Sequence, residues 1–190
     1  MLIEQSIYYR ISQKLMSIKT KNIKNIKNIN RYENVLKDER YLKLLSDIEE
    51  LEENRIFCKH SLSHFMDVAR IATIIWLEDG KANELKRDII YAAGLLHDIG
   101  RAVEYKEGRP HDEASAEIAA QILPDCGYLP SEISEISQAI IGHRGRNQTK
   151  NTYLGEIIAR ADKLSRGCFR CNAREECKWS ENDKNDIFIY

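Results

Sequence analysis

Glycine and proline are scarce in this chain, nine and three of 190 residues. That scarcity argues against a turn-rich β architecture and leaves room for long helices. No apolar run approaches the ~18–20 residues of a membrane span. The opening residues, Met1 to Ser6, lack the charged stretch followed by an apolar segment that marks a secretory signal. The expectation is a cytoplasmic protein with no membrane partner. An excess of either charge is missing too. The 29 basic and 30 acidic residues give a net charge of −1, so nothing asks for a nucleic-acid partner, although a local basic loop can still hold a phosphate. Cysteines number five, an odd count that suits a reducing compartment, where clustered thiols more often signal metal than disulfides. With 43% hydrophobic and 31% charged residues, the chain can bury the core of one soluble domain, and a second could only be small.

Three regions follow along the chain. Residues 1–32 form an N-terminal arm, with scattered apolar positions up to Ser17 and then the low-complexity stretch KTKNIKNIKNIN over 19–30, a linker in character or plain compositional drift. Residues 33–166 carry helical periodicity. Tyr41, Leu44, Leu45, Ile48 and Leu51 recur at helix spacing, as do His64, Val68, Ile71, Ala72 and Ile75 before Gly80. Ile89 to Leu96 is apolar all round and therefore central. Residues 101–111, with Gly108 and Pro110, read as a loop. Ala114 to Leu123 and the segment opened by Pro130-Ser131-Glu132 read as helices, and Leu154 to Leu164 is the last strongly periodic one. Residues 167–190 form a cysteine-containing tail. The fold class is all-α, a single bundle of six or seven helices.

The chemistry lies in a pattern: His64 on one helix stripe, the adjacent pair His97-Asp98 ending a second helix, and Asp162 bordering the buried face of a later one. A lone histidine on an apolar face is more often a satisfied core residue than a ligand. Four of the five histidines nevertheless stand on a helix face, at helix ends or in the loop before a helix, each beside a buried segment. Burying carboxylates without partners is costly, and a divalent cation is what offsets that cost in a cluster of imidazoles and carboxylates. Such a ligand set suits Fe, Mn, Co or Zn.

His64 with Val68-Ala69, the run Gly94-Leu95-Leu96-His97-Asp98-Ile99-Gly100, and Ala161-Asp162-Lys163 resemble the three motifs of the HD-domain superfamily of metal-dependent phosphohydrolases. The resemblance covers about residues 55–166. It implies an all-α fold, hydrolysis of a phosphoester or phosphoanhydride bond, and His64, His97, Asp98 and Asp162 as ligands of a first metal. A binuclear subset, which includes bacterial HD-type hydrolases of diadenosine polyphosphates, adds two histidines before the last Asp. His111 and His143 are similar to these, which implies two divalent ions (Fe, Mn, Co, Zn or Mg) with Asp98 shared between them. Gly127-Tyr128-Leu129-Pro130 is only superficially similar to the GYP signature of the cyclic-dinucleotide phosphodiesterase branch and reads as a helix-entry turn. His60, one turn before His64, has a supporting or surface role.

The mechanism this implies is attack on phosphorus by a water held between the two ions and deprotonated near neutrality. Asp98, Arg101 and Lys163 are the catalytic candidates. Arg101, Arg144 and Lys163 are the candidate phosphate contacts, followed by Arg109, Arg146 and Arg166. Pocket loops are expected at 101–112 and 144–153. The substrate is read as a small nucleotide: a dinucleoside polyphosphate, a nucleoside monophosphate or an alarmone-like nucleotide. Alternatives are a mononuclear nucleotidase using only the first four ligands, or a non-catalytic sensor of metal or nucleotide. The oligomeric state is open, and a homodimer is allowed. Finally, Cys168-x2-Cys171-x5-Cys177 has the opening of a zinc site, with Cys58 as the fourth ligand. An iron–sulfur cluster, or ordinary reduced thiols, are the other readings.

Overall fold

The computed structural model describes residues 31–81, 86–143 and 152–190. The low-complexity repeat, Arg144 and Arg146 lie outside the described residues. One turn of helix, α1 (Tyr32–Val35), is followed by α2 (Glu39–Leu51), α3 (Leu62–Glu78), α4 (Arg87–Leu96), α5 (Arg101–Glu107), α6 (His111–Ile122), α7 (Pro130–Gly142) and α8 (Tyr153–Leu164). No strand occurs among the described residues. The fold is an all-α bundle, and none of these helices is long and apolar enough to cross a membrane.

Local chemistry sets the helix starts. The Asp38 carboxylate accepts from the amides of Arg40 and Tyr41 and caps α2, Ser61 caps α3, and Thr152 accepts from Gly155 N to cap α8. Pro130 opens α7, where its fixed φ suits the first turn, so the Gly-Tyr-Leu-Pro segment is indeed a helix entry. Gly127 takes φ 88° there, a conformation glycine adopts without strain.

The apolar helix α4 is the axis of the bundle. Every residue from Asp88 to Leu96 is buried, and it packs against α3, α7 and α8. Its approach to α3 is so close that a Cβ on Gly94 would lie 2.7 Å from the Ala69 Cα. The stretch after the His-Asp pair corrects the loop expected at 101–111: it contains a seven-residue helix, α5, ended by Gly108 at φ 75°. Only Ala102 of that helix is buried, so it carries no stripe for periodicity to register. The turn before it is tight. A Cβ on Gly100 would stand 2.5 Å from the carbonyl oxygen of His111, and Gly100 N donates to Ser115 Oγ at 2.8 Å. Helix α6 therefore begins directly against the His97-Asp98 turn.

Arg31, the first described residue, is tied into the bundle. Its guanidinium meets Asp88 on α4 at 2.6 Å and Glu132 on α7 at 2.6 Å and stacks over the Tyr128 ring. The tail after α8 has only two short 3-10 turns, Cys168–Arg170 and Glu181–Asp183.

Candidate metal centre

Five elements deliver the pattern to one place, each near a helix end. His64 lies in the first turn of α3, His97 and Asp98 in the turn after α4, His111 at the first position of α6, His143 just after α7, and Asp162 in the last turn of α8. Helix termini suit this task, because the backbone turns there and consecutive residues can face one point. Two three-residue groups result, His64 with His97 and Asp98, and Asp98 with His111 and His143. Within each, one ligand atom per residue lies within 4.8 Å of the others. Asp98 belongs to both.

The distances are short. His111 Nε2 is 3.0 Å from Asp98 Oδ1 and His143 Nε2 is 3.6 Å from the same oxygen. His97 Nε2 is 3.6 Å from Asp98 Oδ2 and 3.8 Å from Asp162 Oδ1. His64 Nε2 is 3.2 Å from Asp162 Oδ1. The opposite ring nitrogens are engaged behind the cluster. His97 Nδ1 donates to Gly94 O at 2.8 Å and His143 Nδ1 to Ile140 O at 2.5 Å. His111 Nδ1 meets Glu104 Oε2 at 2.7 Å and His64 Nδ1 meets Ser165 Oγ at 3.2 Å. A ring whose Nδ1 donates to a carbonyl carries its lone pair on Nε2, the nitrogen a metal takes.

Electrostatics point the same way. Burial alone would raise the Asp98 carboxyl, yet His97, His111 and His143 hold it well below the usual carboxylate range. Asp162, also opposed by burial, is held low by His64 and His97. Burial pushes His64 down to about 4, so it is a neutral imidazole at pH 7. His97 is driven up, because Asp98 and Asp162 outweigh its complete burial. His97 Nε2 and Asp98 Oδ1 are nevertheless buried without a hydrogen bond. Orphaned polar atoms of this kind are costly in a core, and a divalent cation would satisfy both. The donor set fits a metal.

The remaining candidates divide. Arg101 reaches Asp98 Oδ2 at 3.3 Å and lines a cavity of about 390 Å³ that also touches His60, Asp162 and Arg166. Lys163 does not join it: its ammonium pairs with Asp183 at 2.7 Å on the surface. Residue 163 is turned about 100° from Asp162 around the helix, whereas Arg166, just past the end of α8, comes back beside Asp162. Arg166 accordingly sits 3.0 Å from Asp162 Oδ1 and 2.8 Å from His64 Nε2, competing with a metal for that nitrogen. His60 is no surface residue. It is 3% exposed, with Nε2 at 3.3 Å from Asp98 Oδ2 and Nδ1 at 2.5 Å from Glu52 Oε1. Against the effect of burial, His60 and Tyr105 pull the Glu52 carboxyl down to about 2. All five histidines thus converge on the two aspartates. Cys58, Cys168, Cys171 and Cys177 line the same cavity.

Glu104, on the helix that the sequence hid, orients His111. Replacing it as Glu104→Gln is expected to weaken core metal affinity by about 10–100-fold, the usual effect of losing a carboxylate behind a metal-bound imidazole. A metal titration of both proteins reads this directly, and equal affinities would remove Glu104 from that role.

Similarity to known proteins agrees with the geometry. The sequence model of the HD domain matches residues 61–167. An uncharacterized protein of Clostridium beijerinckii is 41% identical over 162 residues, which is 85% of this chain and 100% of its own. Ribonuclease Y of Enterococcus faecalis is 33% identical over 115 residues, and that of Wolinella succinogenes 31% over 131. The matched segments span only 19% and 22% of those enzymes. A crystal structure of a predicted HD superfamily hydrolase from an uncultured Thermotogales bacterium superposes with a TM-score of 0.56 at 26% identity, covering 76% of this chain and 79% of that one. Motif residues drawn from five elements onto shared carboxylates, within a matching profile and a matching bundle, make this chain a member of the HD domain family.

Proposed function

We propose that the protein is a metal-dependent phosphohydrolase with two divalent ions, acting on a phosphoester or phosphoanhydride bond of a nucleotide. The observation that carries this is the sharing of Asp98 between two three-ligand groups, next to a cavity that Asp162 and His60 line together with Arg55, Arg101 and Arg166. His64, His97, Asp98 and Asp162 would hold one ion, and Asp98, His111 and His143 the other. Bound there, divalent ions lower the pKa of water and polarise phosphoryl oxygens.

The chain's own residues do the rest. Arg101 and Arg166 present guanidinium groups toward the cavity, where they can bind non-bridging phosphate oxygens and offset charge developing on them. Water adds to phosphorus, the bond to the leaving oxygen breaks, and that oxygen takes a proton. Glu52 and Tyr105 fix the His60 ring, keeping its Nε2 beside Asp98 rather than in solvent. Arg144 and the 144–153 loop remain part of the proposal from sequence alone.

A second reading, hydrolysis of phosphodiester bonds in short RNA, is supported by the similarity to ribonuclease Y. One experiment covers both: a product screen over nucleoside monophosphates, dinucleoside polyphosphates, alarmone-like nucleotides and short RNA oligomers, each with Mn, Fe, Co, Zn or Mg. Metal-dependent turnover of a nucleotide supports the first reading and turnover of RNA alone the second. Tight nucleotide binding without turnover on any substrate would replace both with a sensor.

A further inference from the structure

We propose that Cys58, Cys168, Cys171 and Cys177 form a separate zinc site that staples the C-terminal tail to the bundle. Cys58 lies in the irregular segment before α3, more than a hundred residues from the other three, yet all four line one cavity. None is in a disulfide. The fifth cysteine, Cys126, is packed in the hydrophobic core and takes no part.

The tail has little else to hold it. Of residues 167–190, only Cys168 and Ala173 are buried, while Phe169, Trp179 and Phe188 remain exposed. Apart from Tyr190, which packs against the hydrophobic core at the very end, polar contacts carry the order. Asn185 Nδ2 donates to the carbonyls of Lys163 and Arg166, and Lys184 Nζ donates to Arg174 O at 3.1 Å. A segment this short, with no core of its own, usually depends on a covalent or metal cross-link.

The chemistry selects zinc. Thiolates are soft ligands, and a C-x2-C turn with two further cysteines is a common framework for tetrahedral zinc. The turn is present: Cys171 N donates to Cys168 O at 3.2 Å. Four thiolates around Zn²⁺ carry a net charge of about −2, which the cations of the wall would offset in part, each of them also paired with a carboxylate. Arg55, Arg166, Arg174 and Lys184 all line the cavity, with Arg55 Nε on Cys58 O at 3.0 Å. Among the described residues the sulfurs are not gathered within 4.8 Å as the two histidine–aspartate groups are, so binding zinc would require the thiols to close up around the ion. The zinc would then fix part of the lining of the cavity that Arg101 and Asp162 share. None of this depends on the phosphohydrolase reading.

The test uses the full chain purified under reducing conditions. Elemental analysis is expected to find about one zinc ion per chain that Cys171→Ser loses and Cys126→Ser keeps. In the unmodified protein, the partly exposed Cys58, Cys171 and Cys177 should resist a thiol reagent until a chelator removes the metal. Equal zinc in the Cys171→Ser and unmodified proteins would overturn the site, as would immediate reaction of those thiols in the untreated protein. A visible iron–sulfur absorption lost with the same substitution would overturn the zinc assignment. The thiol measurement needs no variant, so a Cys171→Ser chain that fails to fold leaves the proposal testable.

Discussion

Asp98→Ala is expected to lose metal from both halves of the histidine–aspartate cluster and with it all metal-dependent turnover. The loss should exceed the roughly 10–100-fold attached to a group standing behind a ligand, because this carboxylate belongs to both three-ligand groups. It should also be larger than the effect of His143→Ala, which touches one group only. Elemental analysis and kcat/KM on whichever substrate the screen finds are the two readings. Activity surviving in Asp98→Ala at the unmodified level would sink the proposed chemistry altogether. If metal disappears while the fold persists by circular dichroism, the cluster is a metal site and not a structural network of buried polar groups.

Arg31→Ala should produce a large loss of stability. Its guanidinium serves two carboxylates whose side chains are 2% and 8% exposed. Removing one partner of a buried pair costs about 3–5 kcal/mol, since the opposite charge is left without compensation. In a chain of this size that corresponds to a Tm lower by roughly 6–20 °C. A shift smaller than about 2 °C would mean that the arrangement contributes little. The pH dependence has a definite sign. Arg31 holds the Glu132 carboxyl at about 2 against an ordinary 4.5. The unfolded chain therefore binds more protons between those values, and the stabilisation is complete above about pH 4.5 and is lost as pH falls toward 2. Asp88, pushed up by burial in spite of Arg31, works in the opposite direction through its own titration. Acid unfolding of the unmodified protein reads the difference between the two, and Arg31→Ala should flatten the Glu132 part.

What the sequence showed and what it hid follow from the range of the forces involved. Helices α3 and α4 were legible because their apolar residues carry a long repeat or an unbroken run, and α7 because Pro130 marks its entry. Helix α5 was not, because seven residues with one buried alanine look like a loop to any periodicity argument. The histidines and aspartates could be picked out because each adjoins an apolar stripe. His60 could not be placed, since the contacts that bury it, with Glu52 and Asp98, join irregular segments and depend on tertiary packing. Lys163 adjoins Asp162 in sequence, yet neighbouring positions on a helix point apart, and Arg166, just past the helix end, is the cation that meets Asp162.

The spread of the candidate ligands over five elements bears on how the chain would respond to metal. Residues 64 to 162 approach one another only when the whole bundle is assembled, so the unfolded ensemble has no comparable affinity for the same ions. Occupancy is then linked to global folding by mass action: a free ion at 100 times its dissociation constant adds about 2.7 kcal/mol to the folded state. Separation of the helices would dismantle the site, so metal binding and global folding would be coupled, and removing the metal should lower the Tm.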